Sequence, residues 1–209
     1  MGTAQTIYTI GYSGFGIDDF CDTLLDFNVS AVIDVRSRPF SDHFKDYDRD
    51  ALTQTLRKHH IYYRNYAREF GARQTSPEYF SPAGYVDFEK FAQSPEFLDG
   101  MKKLMASMAQ GFSFALMCAE KDPVRCHRAV LVARAFAEAG YVVQHLLPQG
   151  ICLSQTMFEN QLLSRYIPDG GQFQLFDDGL PQDDAERLRL AYRRCNEDIG
   201  WRPSSSPSP

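Results

Sequence analysis

The chain has 209 residues, 44% of them apolar and 13% aromatic, which suffices for one well-buried domain with an appendage and not for two large ones. A formal net charge of -5 at pH 7 excludes a global positive field drawing the protein to nucleic acid or an acidic membrane, so such a ligand needs a local basic pocket. No apolar run approaches the ~20 residues that span a bilayer, and the five scattered cysteines Cys21, Cys118, Cys126, Cys152 and Cys195 argue against a disulfide framework, so the expectation is a cytoplasmic protein with reduced thiols and no membrane contact.

In chain order, Ile7–Ile10 followed by Gly11 reads as a first strand and turn. Residues 18–27 have helical spacing, with Phe20, Leu24 and Phe27 on one face. Residues 31–35 (Ala-Val-Ile-Asp-Val) form a second strand, and Leu52 and Leu56 at i, i+4 mark a second helix over 49–60. A third strand over 61–66 leads into a Gly/Pro-bearing excursion over 68–83, longer than ordinary βα connections and therefore a candidate lid or binding loop. Helical segments over 85–92 and 95–109 precede a buried strand at 112–117, a helix from Cys126 closed by Gly140, and a last strand over 141–147. After Pro148 come an amphipathic helix over 154–166, a Gly-rich turn with the aromatic segment 173–176, a charged helix over 183–197 and a Ser/Pro tail.

Strands alternating with helices call for an α/β fold, a three-layer αβα arrangement with a mostly parallel sheet of about five strands, plus a C-terminal helical extension. The expected division is an α/β domain over 1–150, a helical extension over 151–200 that packs on the domain or on a partner, and a disordered tail over 201–209. A homodimer through the C-terminal helices is one arrangement this allows.

Chemistry concentrates between the strand at 112–117 and the helix that follows. There Cys118-Ala119-Glu120-Lys121-Asp122-Pro123-Val124-Arg125-Cys126-His127-Arg128 gathers two thiols, an imidazole, carboxylates and two guanidiniums in one strand-to-helix loop. In a parallel sheet ligands bind at the carboxyl ends of strands, and the next helix offers free N–H donors to an anion. Strand two ends in Asp34-Val35-Arg36-Ser37-Arg38-Pro39, whose guanidiniums and hydroxyl suit a carboxylate or phosphate. Alternatively, Asp34 and Arg36 pair structurally. Strand one ends in Gly11-Tyr12-Ser13-Gly14, where glycine permits close backbone approach, although the spacing is not the dinucleotide fingerprint.

Three chemistries compete at the central loop. Cys126, at a helix N-terminus beside His127 and arginines, has the setting of a nucleophilic thiolate. Cys118 at the strand end is the other candidate nucleophile. Metal binding ranks last, because Cys-x7-Cys-His lacks the close pair spacing of structural zinc sites.

The segments Thr9–Ser13, Asp34–Pro39 and Met117–Arg128 together resemble the bacterial and archaeal domain-of-unknown-function family 488, over roughly residues 6–148. The resemblance implies an α/β fold and a shared pocket, and brings no activity. Where Tyr12 stands, that family usually has histidine. A weaker similarity links the chain to rhodanese-like sulfurtransferases and cysteine phosphatases, which also show Asp-x-Arg at a strand end and a cysteine whose loop wraps an anion. Here the spacing from Cys118 to Arg125 is one residue longer than in the phosphatase loop, and Glu120 and Asp122 stand where small residues would.

The resulting expectation is an enzyme, a thiol-dependent transferase or hydrolase, with an anionic small molecule or nucleic acid as ligand. Cys118, Glu120, Cys126 and His127 are the candidate catalytic residues. Gly11, Ser13, Asp34, Arg36, Ser37, Arg38, Arg125 and Arg128 are the candidate ligand contacts. No cofactor and no metal is assigned. The alternatives are a non-catalytic nucleotide or nucleic-acid binding module, and rhodanese-like sulfur transfer.

Overall fold

The computed structural model describes residues 5–168 and 183–203. The elements follow the expected alternation: β1 (Thr6–Gly11), α1 (Ile17–Asp26), β2 (Ala31–Asp34), α2 (Arg49–Lys58), β3 (Tyr62–Asn65), α3 (Ala67–Phe70), α4 (Phe88–Phe91), α5 (Pro95–Ala109) and β4 (Phe114–Cys118). A π-helical stretch, Arg128–Ala133, then runs into α6 (Arg134–Glu138), followed by β5 (Val142–Leu147), β6 (Ile151–Ser154), α7 (Gln155–Tyr166) and α8 (Asp184–Ile199). Among the described residues, no helix is long and apolar enough to cross a membrane.

One sheet has the order β3-β2-β4-β1-β5-β6. Its first five strands are parallel, as the βα alternation demands, and β6 is antiparallel to β5. The sixth strand departs from the five expected. It forms because Gln149 and Gly150 both take left-handed backbone (φ 68° and 72°) and reverse the chain tightly after Pro148. The aromatic segment 173–176 and the tail beyond Pro203 lie outside the described residues.

Helices cover both faces of the sheet. Phe20 and Leu24 of α1 and Leu52 and Leu56 of α2 pack with Val32, Ala115 and Met117 on one face. On the other, Phe97, Met101 and Leu104 of α5, Phe136 of α6, Phe158 of α7 and Tyr192 of α8 pack with Ile33 and Leu116. The alternation of Val32 with Ile33, and of Ala115 with Leu116, between the two cores is the period-two signature of a strand buried on both faces. Each buried Phe or Leu contributes roughly 1.5–3 kcal/mol.

This distribution fixes where a ligand belongs. The helices after β1 and β2 lie on one face and those after β3 and β4 on the other, so the connections leaving the adjacent strands β1 and β4 diverge. Their carboxyl ends therefore flank the topological switch point, where open α/β sheets bind ligands. The parallel register sets Gly11 opposite Cys118 there, with Asp34 opposite Met117 on the next strand.

The C-terminal helix is tied to the same chain. Cys195 Sγ donates to the Val124 carbonyl (3.1 Å), while Asn196 donates from Nδ2 to Val86 O and accepts the Phe88 amide at Oδ1, both at 2.9 Å. These bonds anchor α8 against the loop that follows β4 and against the start of α4.

Candidate functional site

The loop after β4 is held by its own carbonyls. Tyr12 N donates to Cys118 O (3.1 Å) and Ser13 N to Ala119 O (3.0 Å), extending the β1–β4 ladder past the sheet. Arg128, fully buried, sends Nη1 to Glu120 O and Nη2 to Lys121 O. A Cβ on Gly11 would lie 1.8 Å from Glu120 O and 2.9 Å from Arg128 Nη1. The close approach that Gly11 permits is thus to the protein's own loop.

Further along, Asp122 Oδ1 accepts the Val124 amide (2.9 Å) and starts a short 3-10 turn, Pro123–Arg125. Cys126 is extended and its carbonyl accepts from the amides of Ala129 and Val130, so it begins the next helix. That helix is π-helical over its first turns, a form that recurs at functional sites.

These constraints bring three donor atoms together and set a carboxylate beside two of them. Cys118 Sγ, Cys126 Sγ and His127 Nδ1 all lie within 4.8 Å of one another. Glu120 Oε2 stands 3.1 Å from each sulfur, and His127 Nδ1 is 3.8 Å from Cys118 Sγ. Both cysteines are buried and His127 nearly so, whereas Glu120 is a solvent-exposed residue whose carboxylate reaches back. His127 Nε2 is 2.9 Å from the Val35 carbonyl. A carbonyl only accepts, so Nε2 carries a proton and Nδ1 is the atom presented to the thiols.

The electrostatics separate the two thiols. Burial works against ionising Cys126, but the hydrogen bond from Cys118, the Arg128 guanidinium and His127 outweigh it and hold this thiol well below its usual range. Hydrogen bonding to Cys126, then burial, hold Cys118 well above. Burial and the neighbouring Cys126 push the Glu120 carboxyl up. For His127, burial lowers the tendency to charge and contact with Cys126 raises it more, leaving the ring above its ordinary range. Ionisation is thus favoured at Cys126 over Cys118. The short contacts of both sulfurs to Glu120 Oε2 need a proton on one partner of each or a positive charge between them.

The expected ligand contacts fall into two groups. Asp34 and Arg36 are buried against each other, with Nη2–Oδ2 at 2.6 Å, and Asp34 also accepts from the Arg36 amide (3.0 Å) and the Tyr63 hydroxyl (2.6 Å). Arg36 Nη2 further donates to Tyr47 O (2.9 Å), and its guanidinium lies 5.2 Å from the Tyr12 ring centre. This pair braces the end of β2. Arg128 is likewise committed to loop carbonyls. One guanidinium nitrogen of each, Arg36 Nη1 and Arg128 Nε, is buried without a protein partner.

Arg38 and Arg125 are exposed, with no acidic partner among the described residues. Ser37 Oγ accepts the amide of Arg73 (2.9 Å), joining the 36–44 loop to the long excursion after β3. Arg73, also exposed, thereby comes beside Arg38. It is absent from the sequence-derived set, although the excursion's length marks that loop as a binding candidate. Val35 is missed as well, because its part is played by a backbone carbonyl that no side-chain pattern reveals. A cleft of about 490 Å³ opens beside the same loop between Asp122, Val124, Asn160 and Arg165, and neither sulfur lines it.

No curated protein and no solved structure matches the chain. The likeness to rhodaneses and cysteine phosphatases finds no support there. The loop also turns the carbonyls of Glu120 and Lys121 toward Arg128, where an anion cradle needs amides. The model of the family described as "Domain of unknown function DUF488" matches residues 16–135, more than half of the chain and including the whole loop from Cys118 to Arg128. The chain belongs to the DUF488 family.

Proposed function

We propose that the protein is an enzyme acting by transfer or hydrolysis on a phosphate-bearing, base-carrying ligand, with Cys118, Glu120, Cys126 and His127 as its reacting centre. The observation that carries this reading is the convergence of two sulfurs, a carboxylate and an oriented imidazole at the switch point of the sheet. The two sulfurs and His127 Nδ1 supply the electron pairs of this centre. Glu120 Oε2 is the carboxylate beside them that can take up or give a proton.

Three exposed arginines, Arg38, Arg73 and Arg125, meet the phosphate, being free of acidic partners among the described residues. Phe40 and Phe44, 60% and 42% exposed on the loop that carries Arg38, offer faces on which a base can stack. Arg36 and Arg128 organise the site from behind.

The test is a screen of nucleotides, phosphate esters and a short single-stranded oligonucleotide for turnover and binding. Cys126→Ser, Cys118→Ser and His127→Ala should each abolish turnover while leaving oligonucleotide affinity within a few-fold. The Arg38→Ala/Arg73→Ala/Arg125→Ala triple variant should weaken binding roughly tenfold or more, about 1.4 kcal/mol, and flatten the salt dependence. Folded single variants at all three cluster positions that turn over at the wild-type rate would sink the reading.

A further inference from the structure

Resting on the reading that this cluster is the reacting centre, we infer that it binds one soft divalent cation of the zinc class through Cys118 Sγ, Cys126 Sγ and His127 Nδ1, with Glu120 Oε2 at a displaceable fourth corner. The chain spacing of these residues hides the set, because the two cysteines are not a close pair in sequence. The fold supplies the proximity: the return of the loop onto Gly11 brings the end of β4 against the start of the next helix.

The geometry fits. Zinc–sulfur and zinc–nitrogen bonds of about 2.3 and 2.0 Å put the ligand atoms of a tetrahedral site about 3.4–3.8 Å apart. Cys118 Sγ and His127 Nδ1 already stand at 3.8 Å, and all three donors lie within 4.8 Å. Glu120 Oε2, 3.1 Å from both sulfurs, joins the set by a movement of its own side chain.

The donor types fit as well. Two thiolates and an imidazole select zinc or its analogues over magnesium or calcium. The hydrogen bond from His127 Nε2 to the Val35 carbonyl is the outer contact that fixes a metal-binding imidazole with Nδ1 inward. Two thiolates, one carboxylate and a divalent ion sum to one negative charge, which the buried Arg128 balances. Loading releases the Cys118 proton, and that of Glu120 where present, to solvent.

With Glu120 seated the set is closed by four protein ligands, and because that ligand sits on an exposed residue the fourth corner is one that can open, as a catalytic centre requires. Withdrawal of Glu120 leaves a corner for a phosphate oxygen or a water.

The test uses the full chain, prepared free of metal with reduced thiols and titrated with cobalt(II). One equivalent should bind, giving tetrahedral d–d bands and a thiolate-to-cobalt charge-transfer band. Cys118→Ser and Cys126→Ser should each lower affinity at least ~100-fold. Glu120→Gln should retain the charge-transfer band with altered d–d intensity, and Cys21→Ser should match wild type. Since a cysteine variant can fail to fold, wild-type protein is also alkylated with iodoacetamide with and without zinc. Zinc should protect Cys118 and Cys126 while Cys152 reacts at an unchanged rate. Absence of a charge-transfer band at millimolar cobalt, wild-type affinity in both serine variants, or absence of protection overturns the inference. Oligonucleotide affinity measured on the same samples separates the two readings. Its loss beside an intact cobalt band counts against the anion ligand, and the converse counts against the cation.

Discussion

Replacing Gly11 by alanine tests how the loop is seated. The new Cβ would stand 1.8 Å from Glu120 O and 2.9 Å from Arg128 Nη1. A carbon approaches a carbonyl oxygen no closer than about 3.3 Å, so the loop must retreat by about 1.5 Å. Neither neighbour gives way cheaply, because Glu120 O is backbone and the Arg128 guanidinium, though the end of its side chain, is fully buried and bonded to two carbonyls. Overpacking costs about 1–3 kcal/mol, and breaking the charged hydrogen bond from Arg128 to Glu120 O adds about 1.5–3 kcal/mol. The expected loss is roughly 3–5 kcal/mol, read from urea unfolding as a lower midpoint at an unchanged slope. Gly84→Ala is the control. No atom lies within 4 Å there, and a φ of +78° alone should cost about 1–2 kcal/mol. If Gly11→Ala costs no more than Gly84→Ala, the loop does not rest on Gly11 as described.

Asp34→Ala strands the buried Arg36 and should cost about 3–5 kcal/mol, whereas Asp34→Ala combined with Arg36→Met should recover part of it, a coupling that a double-mutant cycle in urea would read. Asn196→Ala leaves Val86 O and the Phe88 amide unpartnered and should cost about 2–4 kcal/mol; a loss under 1 kcal/mol would mean that α8 is held by packing alone. His145 is buried, hydrogen-bonded to Thr9 and Gln155, and lowered to about 3 by burial first and Arg128 next. The unfolded chain therefore binds this proton first, so stability is complete above about pH 6.5 and falls by up to about 1.4 kcal/mol per pH unit on acidification toward pH 3. His145→Gln should flatten that part of the stability profile, and an unaltered profile would assign the acid sensitivity to other groups.

The layering of the fold was legible in the chain because strand and helix periods are local. Residues 31–35 and 112–117 read as buried strands, and the i, i+4 pair Leu52 and Leu56 faces one core as its spacing implies. The loop from Cys118 to Arg128 was legible as a concentration of reactive groups and as a family signature. The extra strand β6 was not, since its existence depends on two left-handed residues after Pro148 and on an open edge of β5.

Function at individual residues was decided by tertiary contact. Composition cannot distinguish an arginine that waits for a ligand from one that braces a loop, and the fold commits Arg36 to Asp34 and Arg128 to two carbonyls while leaving Arg38 and Arg125 exposed. Spacing along the chain separates Cys118 from Cys126. The hydrogen bonds of Tyr12 and Ser13 to the loop, together with the space at Gly11, fold that separation into a cluster with Glu120 and His127. Which chemical groups occur, and roughly where on the sheet they stand, can be read from the order of residues because strand and loop patterns are local. Distances between them depend on how the backbone closes on itself, which is a property of the folded chain.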